Sequence, residues 1–187
     1  MENKNRCEWC SSDKIYQKYH DEEWGVAVYD DRLLFEMLTL EGAQAGLSWL
    51  TVLKKRDNYR LAFDNFDIEK ISCYNDEKFD ELINNSGIVR NKLKIKSTVQ
   101  NAKVFISIQK EFGSFSNYIW GFVDGKIVKN SFSDISDIPA KTELSDIVSK
   151  DLKKRGMNFV GSTIIYAYLQ AIGIVNDHTK NCFLYKK

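Results

Sequence analysis

Residues 33–53 read LLFEMLTLEGAQAGLSWLTVL, the most apolar stretch of the chain. Its length and composition predict a helix that belongs to the core. Only two charged side chains, Glu36 and Glu41, lie within it. We expect Glu36 on the surface of the helix. Glu41 is harder to place, because Leu40 precedes it and small residues follow it. The stretch therefore raises the question of why a carboxylate stands in the most apolar part of the chain.

The composition is that of an ordinary globular protein, with 187 residues, 43% of them hydrophobic and 28% charged. This length is enough to bury a core without disulfides. The formal net charge of +1 means that any nucleic-acid contact must come from local basic patches. The start, MENKNRCEWC, is polar, and no apolar run reaches the roughly 18 residues of a membrane span. We therefore expect a cytoplasmic protein with no membrane association.

The rest of the chain reads as further helices, and a single proline, Pro139, favours long ones. The class is all-α, with about nine helices. We expect one helix over 31–56 that bends or splits at Gly42 and Gly46. Residues 124–143 are turn-rich and polar, which predicts a linker with a small hairpin at Asp124-Gly125. The other predicted helices lie within 67–74, 76–87, 89–113, 114–123, 144–156 and 162–173.

The two histidines of the chain each have a cysteine nearby. Cys7 precedes His20 near the start, and HTKNC near the end contains His178 and Cys182. Two thiolates and two imidazoles are the ligand set of a closed, structural zinc site, which would tie the chain ends together. Cys10 is a competing ligand. Four unrelated buried or polar residues are the alternative, and ligand types alone do not decide between the two.

Residues 152–169, LKKRGMNFVGSTIIYAYL, have the layout of a helix-hairpin-helix element. A basic helix end runs into a glycine, a short apolar hairpin follows, and a new helix begins. Amides at that helix start can hold a DNA phosphate without reading sequence. An ordinary pair of helices is the alternative, because the glycine spacing alone is a weak signal. The candidate DNA-binding residues are Lys153, Lys154, Arg155, Gly156, Gly161, Ser162 and Thr163.

Aromatic residues accompany the unexplained carboxylate. YHDEEWG places Tyr19 and Trp24 on either side of His20, and Glu41 and Trp49 are spaced to share a broad helical face. Rings that stack and a carboxylate that accepts N–H groups suit a flat, cationic or donor-rich ligand, such as a modified nucleobase or a quaternary ammonium. The alternative is a set of core aromatics with a partnered structural glutamate.

Taken together, these motifs closely resemble the bacterial DNA-3-methyladenine glycosylase I family. The resemblance extends from Cys7 to Cys182. LEGAQAGLSW is the most specific part of it. Departures are few: Ala27 stands where we expect proline, and Cys10 lies outside the family's ligand set. The motifs that carry the resemblance are YHDEEWGV (19–26), LEGAQAGLSW (40–49), KKRG (153–156), FVG (159–161) and VNDH (175–178).

The resemblance implies an all-α, helix-hairpin-helix DNA glycosylase fold. It implies a single domain over 1–187 with two helical lobes, a base pocket between them, and the helix-hairpin-helix element at about 144–173. It also implies one structural Zn²⁺ per chain, which joins the N- and C-terminal segments. The ligands of that ion would be Cys7, His20, His178 and Cys182.

The implied activity is hydrolysis of the N-glycosidic bond of 3-methyladenine in base excision repair, without strand cleavage. Glu41 would be the catalytic carboxylate that binds the flipped base, with Tyr19, Trp24 and Trp49 as further substrate-binding residues. Asp177 is an outside candidate for water activation.

The implied partner is double-stranded DNA containing 3-methyladenine, bound by a monomer that works at the nucleoid. A non-catalytic, zinc-stapled module that recognises alkylated bases is the alternative function.

Overall fold

The computed structural model describes residues 4–10 and 13–185, and within them the chain is mostly helical. The expected all-α class needs one correction, since two strands of two residues each, β1 (Val128–Lys129) and β2 (Val175–Asn176), are also present. None of the described helices is long and apolar enough to cross a membrane. The helices are α1 (Lys14–Glu22), α2 (Asp31–Gln44), α3 (Trp49–Leu53), α4 (Arg56–Ala62), α5 (Ile68–Ser72), α6 (Asp76–Asn84), α7 (Lys92–Phe112), α8 (Phe115–Gly121), α9 (Glu143–Lys154) and α10 (Ser162–Ala171).

The central element is α2, which packs against α3, α7, α8 and α10. Asp30 caps its start, because the Asp30 carboxylate accepts a hydrogen bond from the Leu33 amide (2.8 Å). Residues 34–43 are all buried. A helix that is apolar on every side belongs in the interior, and the other helices are arranged around this one.

Glu36 does not lie on the surface, so that expectation is wrong: its side chain is fully buried. Arg56 Nε donates to Glu36 Oε1 at 2.6 Å, and Arg60 Nε donates to the same oxygen at 3.0 Å. Glu23 accepts a further hydrogen bond from Arg56. The carboxylate and the guanidinium groups therefore compensate one another, as buried charges must.

The long helix predicted over 31–56 is divided into α2, α3 and α4. Gly46 has φ +79°, a left-handed conformation that glycine adopts without strain. Ser48 then caps α3 through its side chain. Lys94 of α7 donates to the carbonyls of Ala43 (2.7 Å) and Ala45 (2.6 Å). These bonds satisfy carbonyl groups at the C-terminal end of α2, which have no partner within the helix, and they fix the turn that follows it.

The hairpin predicted at Asp124-Gly125 is wrong. Both residues have positive φ, 52° and 70°, and they form a turn in which Gly125 N donates to Trp120 O at 3.0 Å. The next strand, β1, pairs in parallel with β2, with Val128 opposite Val175. A parallel partner comes from a distant part of the chain, so no local pattern indicates it.

The loop 155–161 joins α9 to α10, and these two helices pack against each other. Asn101 of α7 holds the loop from outside, because its side chain donates to Asn158 O (2.9 Å) and accepts from Asn158 N (2.8 Å). The Ser149 hydroxyl donates to Val160 O at 2.6 Å. The loop is therefore fixed by side-chain bonds to its backbone from two helices.

The buried charges around Glu36 make a test of this packing. We predict that Glu36→Gln lowers the free energy of unfolding by about 3–5 kcal/mol, because it leaves Arg56 buried with one partner fewer. Denaturant unfolding followed by circular dichroism measures this.

The matched control is Asp57→Asn, which removes an exposed partner of Arg60 and should cost less than about 1 kcal/mol. Equal costs for the two variants would contradict the assignment of Glu36 to a compensated core network.

Candidate functional site

Four side chains from the two ends of the chain converge on one point. Cys7 comes from the turn before α1 and His20 from the last turn of α1, while His178 and Cys182 follow β2. All four are buried, and their ligand atoms lie within 4.8 Å of one another. We call these four residues the Cys/His cluster. Its donor types and its size allow it to hold a metal ion.

The distances between the candidate ligand atoms are short and similar. Cys7 Sγ lies 3.6 Å from His178 Nδ1, and Cys182 Sγ lies 3.5 Å from His178 Nδ1 and 3.5 Å from His20 Nε2. These three of the four sulfur–nitrogen distances are equal to within 0.1 Å. The donors therefore already surround a common centre.

A second layer of contacts orients both imidazoles. His20 Nδ1 lies 2.9 Å from Oδ1 of Asp21. Arg6 donates one hydrogen bond to each oxygen of the same carboxylate, at 2.8 Å and 2.7 Å. His178 Nε2 lies 3.2 Å from the carbonyl oxygen of Trp24. Each ring thus uses one nitrogen for the protein and turns the other toward the cluster.

The two thiols of the cluster differ in acidity. A hydrogen bond with Cys7, supported by His178 and His20, holds the pKa of Cys182 well below its usual value. The same contact raises the pKa of Cys7. Metal ligation requires both sulfurs as thiolates, so metal binding would release a thiol proton. Cys10, the competing ligand of the sequence analysis, lies outside the cluster.

A cavity of about 260 Å³ opens beside the cluster. The structure brings Tyr19, Trp24, Glu41 and Trp49 together in its lining. The rings of Tyr19 and Trp49 are 5.3 Å apart between centroids. A gap of about 10 Å³ between α2 and α7 is too small for anything but a water molecule. Other cavities of about 330 and 320 Å³ are present, and the one beside the cluster differs from them in combining several aromatic rings with a buried carboxylate that has no cation beside it.

Several residues of the cavity were missed by the sequence analysis. Tyr16 stands three positions before Tyr19 on α1, and helical periodicity could have revealed it. Ile135 and Ile138 come from the segment predicted to be a linker, which instead forms part of the cavity wall. No local pattern signals that placement. The full set of missed residues is Trp9, Tyr16, Gln44, Ile135, Ile138, Ala167 and Gln170.

Glu41 is the second carboxylate of α2, and its surroundings are opposite to those of Glu36. Its side chain is buried, with the residue 4% exposed, and no cation pairs with it in the described structure. Oε2 has no hydrogen-bond partner, which is also true of Oε2 of Glu36, but Glu36 is paired with two arginines through Oε1. Burial raises the pKa of Glu41 to about 8. A carboxylate that lines a cavity, is desolvated and has no cation nearby is typical of a functional site. It is prepared for a ligand that brings N–H donors or positive charge.

Two N–H donors of the cavity residues are also unused. The indole Nε1 atoms of Trp9 and Trp49 are buried and have no acceptor within residues 4–10 and 13–185. Buried donors are normally paired, so an unpaired one that belongs to a cavity wall calls for an acceptor on the ligand. These two N–H groups belong to residues that line the cavity, and each is itself enclosed by protein.

The Cys/His cluster supports one wall of the cavity. The ring of Trp9 lies 5.2 Å from that of His20 and 4.9 Å from that of Trp24, between centroids. Trp24 in turn meets the ring of His178 edge to face at 4.7 Å. Two aromatic walls of the cavity thus rest directly on two candidate metal ligands.

The predicted DNA-binding residues lie around the loop between α9 and α10. Lys153, Lys154 and Thr163 are exposed, and Gly161 is the N-cap of α10, next to Ser162. Gly156 has φ +99°, which favours glycine.

Arg155 of the same loop is bound within the protein. Its guanidinium donates to Asp151 (2.7 Å) and Glu111 (2.6 Å), which raises the pKa of Arg155. It also covers the rings of Phe112 and Tyr118 at 5.2 and 5.1 Å. The Arg155 side chain therefore holds α9 against α7 through the hydrogen bond to Glu111 and against α8 through the ring of Tyr118.

Comparison with known proteins gives consistent matches along the chain. A family profile described as methyladenine glycosylase matches residues 9–185. The DNA-3-methyladenine glycosylase 1 of Escherichia coli is 45% identical over 180 residues, covering 96% of each chain. The DNA-3-methyladenine glycosylase of Haemophilus influenzae is 46% identical over 177 residues, covering 95% of this chain and 96% of the relative.

Solved structures agree with these matches. A crystal structure of a 3-methyladenine DNA glycosylase I superimposes with a TM-score of 0.94 at 46% identity, covering 97% of this chain and all of the other. The 3-methyladenine DNA glycosylase I from Staphylococcus aureus, solved to explain recognition of 3-methyladenine, superimposes with a TM-score of 0.94 at 36% identity, covering 98% of this chain and 97% of that one.

The raised pKa of Glu41 makes stability depend on pH. Between the unfolded pKa of 4.5 and the folded value of about 8, the unfolded chain releases a proton that the folded chain keeps. The free energy of unfolding should therefore fall as pH rises through this range and level off above it, by a few kcal/mol in total. Glu41→Gln should lose this dependence, so its stability relative to the original protein should increase from pH 5 to pH 8.5 in denaturant titrations.

The control is Glu69→Gln, an exposed position on α5, which should leave the pH dependence unchanged. A constant difference between Glu41→Gln and the original protein at all pH values would show that Glu41 is not the titrating group.

Proposed function

The chain belongs to the methyladenine glycosylase family, and from that premise we propose that it hydrolyses the N-glycosidic bond of 3-methyladenine in alkylated double-stranded DNA. The observation that carries the proposal is Glu41, a buried carboxylate without a partner in a cavity of aromatic side chains. A non-catalytic module that only recognises alkylated bases is disfavoured, because both curated relatives are named as glycosylases.

The reaction breaks the bond between the sugar C1′ and the base N9, and water adds to C1′. The products are free 3-methyladenine and an abasic site, and the DNA strand stays intact. Methylation at N3 gives the purine a positive charge, which makes it a good leaving group. The enzyme therefore needs no protein nucleophile. Its main work is to extrude the nucleotide, at a cost of a few kcal/mol, and to hold the charged base.

Glu41 distinguishes the methylated base from normal adenine by charge. A cation beside a carboxylate in a low-dielectric cavity gains far more than it would in water. Because burial raises the pKa of Glu41 to about 8, the free protein holds the carboxyl mostly protonated at neutral pH. A cationic base drives the proton off and pairs with the carboxylate, whereas a neutral base cannot. Glu41 also accepts hydrogen bonds from N–H groups of the bound purine.

The aromatic residues hold the plane of the base. Tyr19, Trp24 and Trp49 are the proposed substrate-binding rings, and Trp9 adds a fourth. Stacking against a flat cation is favourable because the ring faces are electron-rich. The rings also exclude water, which strengthens the interaction with Glu41.

The proposed DNA contact is the loop between α9 and α10, as a helix-hairpin-helix element at about 144–173. The free amides at the start of α10, at Ser162 and Thr163, can bind a backbone phosphate. Gly156 and Gly161 allow the backbone to approach the DNA closely. Lys153 and Lys154 are exposed and add local positive charge, while Arg155 braces the element from behind.

We further propose a single domain over 1–187 with the base pocket between two helical lobes, acting as a monomer at the bacterial nucleoid. A monomer is sufficient because the cavity and the loop both come from one chain.

The metal that fits the Cys/His cluster best is Zn²⁺, one per chain, held by Cys7, His20, His178 and Cys182. In a tetrahedral site with Zn–S of about 2.3 Å and Zn–N of about 2.0 Å, the sulfur–nitrogen edges are about 3.5 Å. The corresponding distances in the cluster are 3.5 to 3.6 Å. When bound, the ion supplies a crosslink between the chain ends, because four protein ligands leave no open position. It therefore supports Trp9 and Trp24 rather than the reaction itself.

Release of free bases from methylated DNA tests the activity. We predict release of 3-methyladenine by the original protein and a decrease of at least about 100-fold in kcat/KM for Glu41→Gln, because the neutral amide cannot pair with the cation. Liquid chromatography of the released bases, under single-turnover and steady-state conditions, measures both.

Glu69→Gln is again the control and should keep full activity. The rate of the original protein should also rise with pH up to about 8, as Glu41 becomes ionised. Tight binding of methylated DNA without any base release would favour the non-catalytic module instead.

Metal analysis tests the crosslink. We predict about one zinc per chain, lost in a Cys7→Ala, His178→Ala double variant, with a lower melting temperature because the chain ends are no longer tied. Elemental analysis together with thermal unfolding measures both. Cys10→Ser and Cys73→Ser are the matched controls and should retain the metal. Retention in the double variant would mean that the ligands lie elsewhere.

A further inference from the structure

Asp177 is a buried carboxylate, 1% exposed, that stands behind the cavity and does not line it. Three donors surround it. Gln170 Nε2 donates to Oδ2 at 2.6 Å, Asn130 Nδ2 donates to Oδ1 at 2.7 Å, and the Tyr166 hydroxyl donates to Oδ2 as well. A carboxylate that is buried and engaged by three protein donors is poorly placed to take a proton from a water molecule in the cavity. Its contacts suggest that it positions a neighbour.

The contacts of Asp177 also exclude a role in orienting His178. The ring nitrogens of His178 face the Cys/His cluster and the carbonyl oxygen of Trp24, so Asp177 does not orient that imidazole. The one partner of Asp177 that reaches the cavity is Gln170. Asp177 therefore acts on the cavity through Gln170.

The bond to Asp177 decides which way the Gln170 amide points. Because the carboxylate offers only acceptors, the end of the amide that meets it must be the NH₂ group. The amide oxygen, Oε1, then lies on the opposite side, and no described residue donates to it. Gln170 lines the cavity whereas Asp177 does not.

We propose that Gln170 Oε1 is a second hydrogen-bond acceptor for the flipped base, and that Asp177 is the positioning residue that holds it in this orientation. The proposal rests on the proposed function. The 6-amino group of 3-methyladenine carries two N–H donors, and the cavity then has two acceptors for them, Glu41 and Gln170. A 6-oxo purine would place an acceptor against the same two acceptors. Gln170 is thereby a determinant of specificity for 6-amino over 6-oxo 3-methylpurines.

The unpaired donors of the cavity complete this pattern. The indole N–H groups of Trp9 and Trp49 have no acceptor among the described residues, and the ring nitrogens of a purine are acceptors. A site that hydrogen-bonds a ligand strongly rejects analogues that leave its buried groups unpaired. The two proposed acceptors thus select by pairing as well as by charge.

Specificity can be measured on DNA methylated to contain both 3-methyladenine and 3-methylguanine. The readout is the kcat/KM for release of 3-methyladenine divided by the kcat/KM for release of 3-methylguanine from the same sample. Gln170→Leu keeps the size of the side chain and removes the oxygen, and we expect the ratio to fall about tenfold. Asp177→Asn introduces an amide that can donate to Gln170 Oε1 and turn its NH₂ group toward the base, so the ratio should again fall about tenfold.

The matched control is Tyr166→Phe, which removes a hydrogen bond from the same carboxylate but leaves the bond to Gln170. It should lower the melting temperature and leave the ratio within twofold of the original. Zinc content and circular dichroism check that the variants retain the fold and the cluster. A purely structural role for Asp177 would change stability without changing the ratio.

A ratio within twofold of the original in both Gln170→Leu and Asp177→Asn would overturn the proposal, as would an equal shift in Tyr166→Phe. Failure of the original protein to release any 3-methyladenine would instead overturn the proposed function. If neither variant folds, the two-acceptor site can still be tested by measuring how strongly free bases inhibit the original protein. We expect 3-methylhypoxanthine to bind at least about tenfold more weakly than 3-methyladenine, and equal inhibition would overturn the two-acceptor site.

Discussion

A helix that is buried on every side must account for each polar group it carries, and α2 carries two carboxylates. Glu36 is satisfied by Arg56 and Arg60, and this network joins α2 to α4. Glu41 has no cation beside it, and desolvation alone raises its pKa to about 8. The same helix therefore contains one carboxylate whose charge two arginines compensate and a second carboxyl group that has no cation beside it. The remaining helices and loops keep α2 buried and leave that second carboxyl group in the lining of a cavity.

The two ends of the chain meet beside this cavity and complete its wall. The Cys/His cluster joins the turn before α1 to the segment after β2, and a backbone bond from Phe183 N to Asn5 O (2.8 Å) runs alongside it. Trp9 and Trp24 pack directly on the imidazoles of the cluster. A metal ion bound there would fix two rings of the cavity wall. A group remote from the proposed reacting bond could in this way support the functional site.

The chemistry assigned to the cavity follows from the charge of its substrate. A base that already carries a positive charge leaves readily, so recognition is the harder task for the protein. In the proposed site, recognition rests on a desolvated carboxylate and on aromatic faces, which suit a flat cation. Lys94 and Asn101 of α7 hold the end of α2 and the loop between α9 and α10. The base pocket and the proposed DNA contact are thus braced by one helix.

Local patterns in the sequence predicted most of the helices, though not α1 or α4, together with the apolar nature of α2 and the four candidate metal ligands, because these depend on residue type and on spacing within a few turns. They could not determine whether Glu36 or Glu41 would find a cation, since Arg56 and Arg60 reach α2 only through packing. They also missed Ile135, whose segment reads as a linker, and the pairing of β1 with β2. Only the tertiary structure decided these points, because each depends on contacts between residues far apart in the chain, whose energies no local pattern contains.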